Sequence, residues 1–220
     1  SFTKAGEPWY AWEWLWDVVF AWLHQRGGME AVVLASIFLI SLTAALLYRL
    51  ARRKSGDVLI AIAVTFLAVA ASSIHWLARP HLFTLLFAVV FCWLLERAQE
   101  GRTRALAVLP LVTILWANLH GGFFVGILLI AAYAAGEMVS WAVAADRAEG
   151  RAALLRSRPY WLSAAGCLAA SFLNPYTWRL HWHIALYLSE SFHFKNISEF
   201  LSLSFQHPVA RYFEALLALG

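Results

Sequence analysis

Charge is what this chain most conspicuously does without. Only 14% of its 220 residues are Asp, Glu, Lys or Arg, while 62% are hydrophobic and the mean hydropathy is +0.66. A soluble domain carries about 25% charged and about 45–50% apolar residues, so a soluble fold is excluded and a polytopic membrane protein expected. Cysteine is nearly missing too. Cys92 and Cys167 both lie in apolar segments, which excludes a disulfide framework and leaves small packing residues. No His stands in an HExxH or CxxC context, so no metal motif is present. Internal repeats of useful length are missing, and with them the argument for an inverted-repeat transporter. The chain opens on Ser1 without a basic leader, and Tyr212–Gly220 is an apolar stretch too short to cross a bilayer. The expectation is a fragment of a longer protein.

What is present is organised around LWANLHGGFFVG, Leu115–Gly126, inside a stretch from Ala105 to Ala145 whose one charge is Glu137. As a single helix that stretch would extend roughly 60 Å, about twice the hydrocarbon thickness of a bilayer. It must therefore turn back, and Gly121-Gly122 is the place. Asn118 and His120 then stand at a hairpin tip, either as helix caps at the membrane surface or as part of a binding site.

The expected fold class is all-α: a polytopic transmembrane helical bundle with interfacial amphipathic helices. Residues 1–28 form an interfacial segment in which Ser1–Pro8 is a polar lead-in. Trp9–Trp22 holds five of the twelve Trp together with Glu13 and Asp17, suiting a helix that lies along the membrane surface. About six spans follow between 29 and 173: Met29–Leu50, Val58–Ala78, Leu82–Leu95, Ala105–Trp116, Phe123–Ala145 and Tyr160–Leu173. Residues 174–207 read as a loop with a surface helix at His181–Glu190 and a polar stretch at Ser191–His207. Residues 208–220 begin a seventh span.

The basic residues are not scattered. Arg49–Asp57, Glu96–Arg104 and Asp146–Arg158 hold 11 of the 17 Lys and Arg. The positive-inside rule puts these three connections in the cytoplasm. A pI near 9.3 is thus a topology signal, and nucleic acid is not an expected partner. All eight His then fall on the outer side, with Glu13, Asp17, Arg79, Asn118 and Asn174. Any chemistry belongs there.

Glu13 and Asp17 are the acid/base candidates, spaced i, i+4 beside Trp rings that would desolvate a carboxylate. The plain alternative is a surface helix turning its acids to water. Arg79 in HWLARPH, with His75 a turn earlier and His81 two residues on, either snorkels to lipid head groups or clamps a phosphate. Asn174 precedes Pro175 and is either a turn residue or a cavity residue. His181 and His183, spaced i, i+2, diverge on a helix and share no metal.

SFTKAGEPWYAWEWL, LARPHLFT, WANLHGGFFVG and LNPYTWRLH together resemble bacterial membrane proteins of the GT-C glycosyltransferase type. That group is related in plan to the protein mannosyltransferases and the lipid A aminoarabinose transferases. The resemblance implies transfer of a sugar from a polyprenyl-phosphate donor to a lipid, glycan or protein acceptor on the outer face. It implies an essential Asp in a loop after a first membrane helix, both of which would precede this chain. Glu13 in WEWL stands where such proteins carry a Glu before Trp-Leu. By the same likeness Arg79 meets the donor phosphate, with Asn118 and His120 on the cavity wall. The expected partners are membrane lipids and a lipid-linked sugar donor. A divalent metal is the one cofactor left open. The alternatives are a non-catalytic subunit of a larger membrane complex and a transporter of lipid-linked sugars.

Overall fold

The computed structural model describes residues 10–190 and 204–219, and all regular structure among them is helical. The lead-in Ser1–Pro8 and most of the polar stretch Ser191–His207 lie outside the described residues. Helix α1 runs Trp14–Ser55 but is broken at Gly27 (φ −145°, ψ 22°) and Gly28 (φ 63°, ψ −161°). The second pair of angles belongs to a region open essentially to glycine alone. An arm, residues 14–26, therefore bends away from the apolar span that follows.

The basic last turn of α1, Arg52, Arg53 and Lys54, sits where a helix C-terminus is negative. Gly56 closes it at φ 70°, its N–H donating to Arg52 O. Asp57 then caps α2, Val58–Ser72, by accepting from the N–H groups of Leu59 and Ile60. Those two bonds hold its carboxyl below the usual carboxylate range. A short 3₁₀ turn, Ser73–His75, leads through the HWLARPH corner to α3, His81–Gln99.

A second 3₁₀ stretch, Thr103–Val108, precedes α4, Leu109–Leu119, whose Pro110 occupies a first-turn position that lacks an N–H partner in any case. After the Gly121-Gly122 turn comes α5, Phe123–Ala142. Helix α6, Arg147–Ala170, is capped by Asp146 and packs its small residues, Gly150, Ala153, Ser157, Ala164, Cys167 and Ala170, toward the interior. Small side chains at helical spacing let membrane helices approach closely. Helices α7, Trp178–Ser189, and α8, Ala210–Leu219, complete the order, with Tyr212 of α8 edge-on to Phe66 of α2.

Among the described residues four helical stretches are long and apolar enough to cross a membrane: α1, Val58–His75, α3 and α5. Thr103–Leu119 is a shorter apolar element where the fourth span was expected, whereas the third, expected to be short, is part of the full-length α3. The sixth expected span is the C-terminal half of α6. Its first half was expected to be a basic connection, yet Asp146 caps it and its Ala, Leu and Arg residues are good helix formers. The helix continues through Pro159 as well.

The connections sort onto two ends of the bundle. At one end Arg53 pairs with Glu100, Lys54 with Glu96 and Arg156 with Glu137, while Tyr133 Oη donates to Glu96 at 2.6 Å. At the other end the α2–α3 corner, the α4–α5 turn and the α6–α7 loop meet the arm of α1. The core between them is built on Phe91, Leu95, Leu109, Trp116, Phe123 and Ile130, all essentially without exposed surface.

Candidate functional site

The arm of α1 is held at its N-terminal end by bonds to distant parts of the chain. Trp14 Nε1 donates to Asn118 Oδ1 at 2.7 Å, and the N–H of Ala11 donates to Tyr176 Oη at 2.9 Å. Trp12 lies between two rings, 4.8 Å from Tyr176 and stacked at 4.3 Å on His183 of α7. Farther along, Trp16 and Phe20 are buried in the core. Aromatic contacts of this kind add about 0.5–1.5 kcal/mol each beyond area burial. The arm is anchored from its start to Phe20.

Asn118, 7% exposed, works as a clamp. Besides accepting from Trp14, its amide donates to Ile114 O at 2.7 Å and Leu173 O at 2.9 Å. Both donors are thus used inside the protein. Asn174 likewise shapes its own loop, donating to Ser171 O at 2.7 Å and accepting from the N–H of Tyr176 at 2.8 Å. His181 turns to Ser171 Oγ at 2.8 Å and stacks on Phe172, so His181 and His183 do diverge.

Glu13 is the residue before the first turn of α1, with its side chain 36% exposed. Its Oε1 lies 3.4 Å from Nε2 of His120. Burial lifts the Glu13 carboxyl from 4.5 to about 7, and the charge of Asp17 one turn on adds to the effect. Burial also lowers the His120 imidazole from 6.5 to about 4, with a further contribution from His81. Each member of the contact therefore prefers its neutral form. Asp17 itself is exposed.

The α2–α3 corner closes this site from the side. Thr84, in the first turn of α3, bonds to His120 Nδ1 at 2.7 Å. His81 contacts His75 twice, ring edge to ring at 5.7 Å and through Nε2 to the His75 carbonyl. Arg79 lies exposed in the same corner. Its backbone N–H donates to Leu77 O at 2.8 Å, which shapes the turn.

Between the arm, the end of α4 and the α6–α7 loop is a cleft of about 550 Å³, lined by Trp14, Leu15, Asn118, Phe172, Leu173 and Asn174 among others. Glu13 and His120 are not on that lining; the residues of it nearest to them in sequence are Trp14 and Asn118, which bond to each other. Thr177, also on the lining, adopts φ 49° and ψ −121°, a conformation a β-branched residue rarely takes. Among the described residues no three His, Cys, Asp or Glu gather in a group that could hold a metal ion.

The structure thus brings Glu13, Asp17, His120, His81, His75, Asn118 and Asn174 to one end of the bundle, and seats Arg79 in the corner beside them. The residues that sequence reasoning did not single out are Thr84, Trp116, Tyr176 and Trp14. Thr84, Trp116 and Trp14 sit in apolar or aromatic runs and Tyr176 in a turn, where nothing local separates a hydrogen-bonding role from packing. Comparison with protein-family models, curated proteins and solved structures finds no match to this chain.

Proposed function

We propose that this chain is part of a GT-C-like glycosyltransferase of the bacterial inner membrane, transferring a sugar from a polyprenyl-phosphate donor on the outer face. The observation that carries the reading is the Glu13–His120 contact. It is a half-buried carboxyl with a pKa of about 7, next to a neutral imidazole. A general base works best when its pKa lies near the working pH, and Glu13 meets that condition.

In the reaction, the carboxylate of Glu13 takes the proton from an acceptor hydroxyl as that oxygen attacks the anomeric carbon. The bond from that carbon to the phosphate oxygen breaks, and polyprenyl phosphate leaves. Arg79, at the same end of the bundle, is the cation assigned to the negative charge that grows on the phosphate. The mostly apolar cleft suits the lipid-linked character of the donor.

The test is sugar transfer by the full-length protein in lipid vesicles, supplied with a polyprenyl-phosphate sugar. Glu13→Gln is expected to lower the rate by about 10²–10⁴-fold, the usual worth of a general base. Arg79→Ala should also abolish transfer, with folding intact in both. Unchanged transfer in the two variants overturns the reading.

One observation favours a non-catalytic subunit instead. The apolar windows of α1 and α2 bury only 11% and 6% of their residues within the chain, leaving faces that a neighbouring protein could cover. Purification of the full-length protein from its native membrane, with the mass of the detergent-solubilised particle measured, separates the two readings.

A further inference from the structure

The surroundings of His120 decide which ring nitrogen carries its proton. The N–H of Gly122 points at Nδ1 from 3.1 Å. A backbone N–H can only donate, so Nδ1 presents its lone pair. Thr84 Oγ1, 2.7 Å from the same nitrogen, must then donate its hydroxyl proton to it. Trp116 Nε1, which also can only donate, reaches Thr84 Oγ1 at 3.0 Å. The hydroxyl accepts from the indole and donates to the imidazole. Two groups that cannot reverse, an amide and an indole, set the direction of the whole chain. With Nδ1 occupied, the proton of the neutral ring sits on Nε2, the atom that faces Glu13 Oε1.

We infer that Thr84, backed by Trp116, is a positioning residue that acts with the Gly122 N–H to hold His120 in its Nε2–H tautomer and so turns that N–H toward Glu13, 3.4 Å away. One carboxylate oxygen then faces the imidazole, and the other is left to receive a substrate proton. The inference rests on Glu13 as the base of the proposed reaction, and it adds the residues that orient that base.

The electrostatics agree with the hydrogen bonds. Protonating Nδ1 would set a new donor against the Thr84 hydroxyl and the Gly122 amide together, reinforcing the burial that holds the ring neutral. Ionisable groups approach from two elements: Glu13 and Asp17 on the arm of α1, and His81 on α3 with His75 edge-on to it. Arg79 stands exposed in the same corner. Gly122 belongs to the device as well. A Cβ there would stand 2.7 Å from His120 Nδ1 and press on the Thr84 hydroxyl.

The experiment reads the tautomer directly, apart from any activity. The full chain, labelled with ¹⁵N-histidine, is placed in lipid nanodiscs, and His120→Gln identifies the His120 signals. At pH 7 they are expected to show a protonated Nε2 and an unprotonated Nδ1. Thr84→Val leaves the Gly122 N–H as the one donor to Nδ1, so it should admit a minor Nδ1–H population and raise the titration midpoint of His120 by about one pH unit. Thr84→Ser should restore both. A protonated Nδ1 in the unaltered chain overturns the inference without any variant. So does a Thr84→Val spectrum and titration identical to those of the unaltered chain. Thr84→Ala is the second variant, used where valine impairs folding. Absent sugar transfer with the Nε2–H tautomer intact removes the assigned reaction alone. A wrong tautomer in a protein that still depends on Glu13 removes the role of Thr84 alone.

Discussion

Glu13 and His120 act on stability in opposite directions as pH changes. The folded state holds the Glu13 proton up to about pH 7, whereas the ordinary value is 4.5. Over that window the folded chain binds more protons than the unfolded one, and the Glu13 contribution falls as pH rises. His120 ordinarily titrates at 6.5 but stays neutral down to about 4. Its contribution is complete above 6.5 and is lost as pH falls toward 4. Between about pH 4.5 and 6.5 the two slopes offset each other. Glu13→Gln should therefore leave a chain whose stability, relative to the unaltered protein, rises with pH across that window. His120→Gln should leave one whose stability falls, and the double variant should show neither slope. Denaturation midpoints in detergent at stepped pH values check all three. The two acids spaced i, i+4 and the polar hairpin tip were legible in the sequence. Their partnership was not, because a contact spanning more than 100 residues leaves no local periodicity. The roles of Thr84 and Trp116 were hidden for the same reason.

At the scale of elements, α5 contains two glycines in opposite circumstances. A Cβ on Gly126 would lie 2.6 Å from Phe91 Cε1 and 2.8 Å from Trp116 Cζ3. A Cβ on Gly136 would meet nothing within 4 Å. Helix propensity alone favours alanine over glycine by about 1 kcal/mol. Gly136→Ala should gain part of that, while Gly126→Ala should lose about 1–3 kcal/mol through overpacking against two fixed rings. Unfolding of the two variants in the same micelles gives the comparison, and equal stabilities would contradict the packing described for α4 and α5. The turn between these helices was legible from length alone, since one helix of that apolar stretch would overrun a bilayer. The break of α1 at Gly27-Gly28 also fell where the interfacial segment was expected to end. Less legible was the start of α6, because charge density argued for a loop while capping and propensity made a helix.

Taken whole, the molecule has two unlike ends. One gathers the ion pairs of Arg53, Lys54 and Arg156, and the other gathers Trp, Tyr and His around the arm of α1. The alternation of basic connections along the chain anticipated this division without any knowledge of which helices touch. If the basic end faces the cytoplasm, Ser55 and Thr177, both exposed and at opposite ends, should differ in access. Thr177→Cys is expected to react with a membrane-impermeant maleimide applied outside spheroplasts. Ser55→Cys should react only after permeabilisation, with the native Cys92 and Cys167 giving the background. The reverse pattern would place the cleft in the cytoplasm and end the outer-face proposal.

The arm of α1 also imposes an order on biosynthesis. Its bonds reach from Trp14 to Asn118, a separation of 104 residues, and from Ala11 to Tyr176, a separation of 165. A ribosome adding about 5–20 residues per second needs roughly 10–30 s to cover the longer interval. Until Asn118 and His120 are made, Trp14 and Glu13 lack the partners that receive them, and Trp12 and Ala11 wait longer still, for Tyr176. The nascent arm must rest on lipid or be shielded by an insertion factor until those segments arrive.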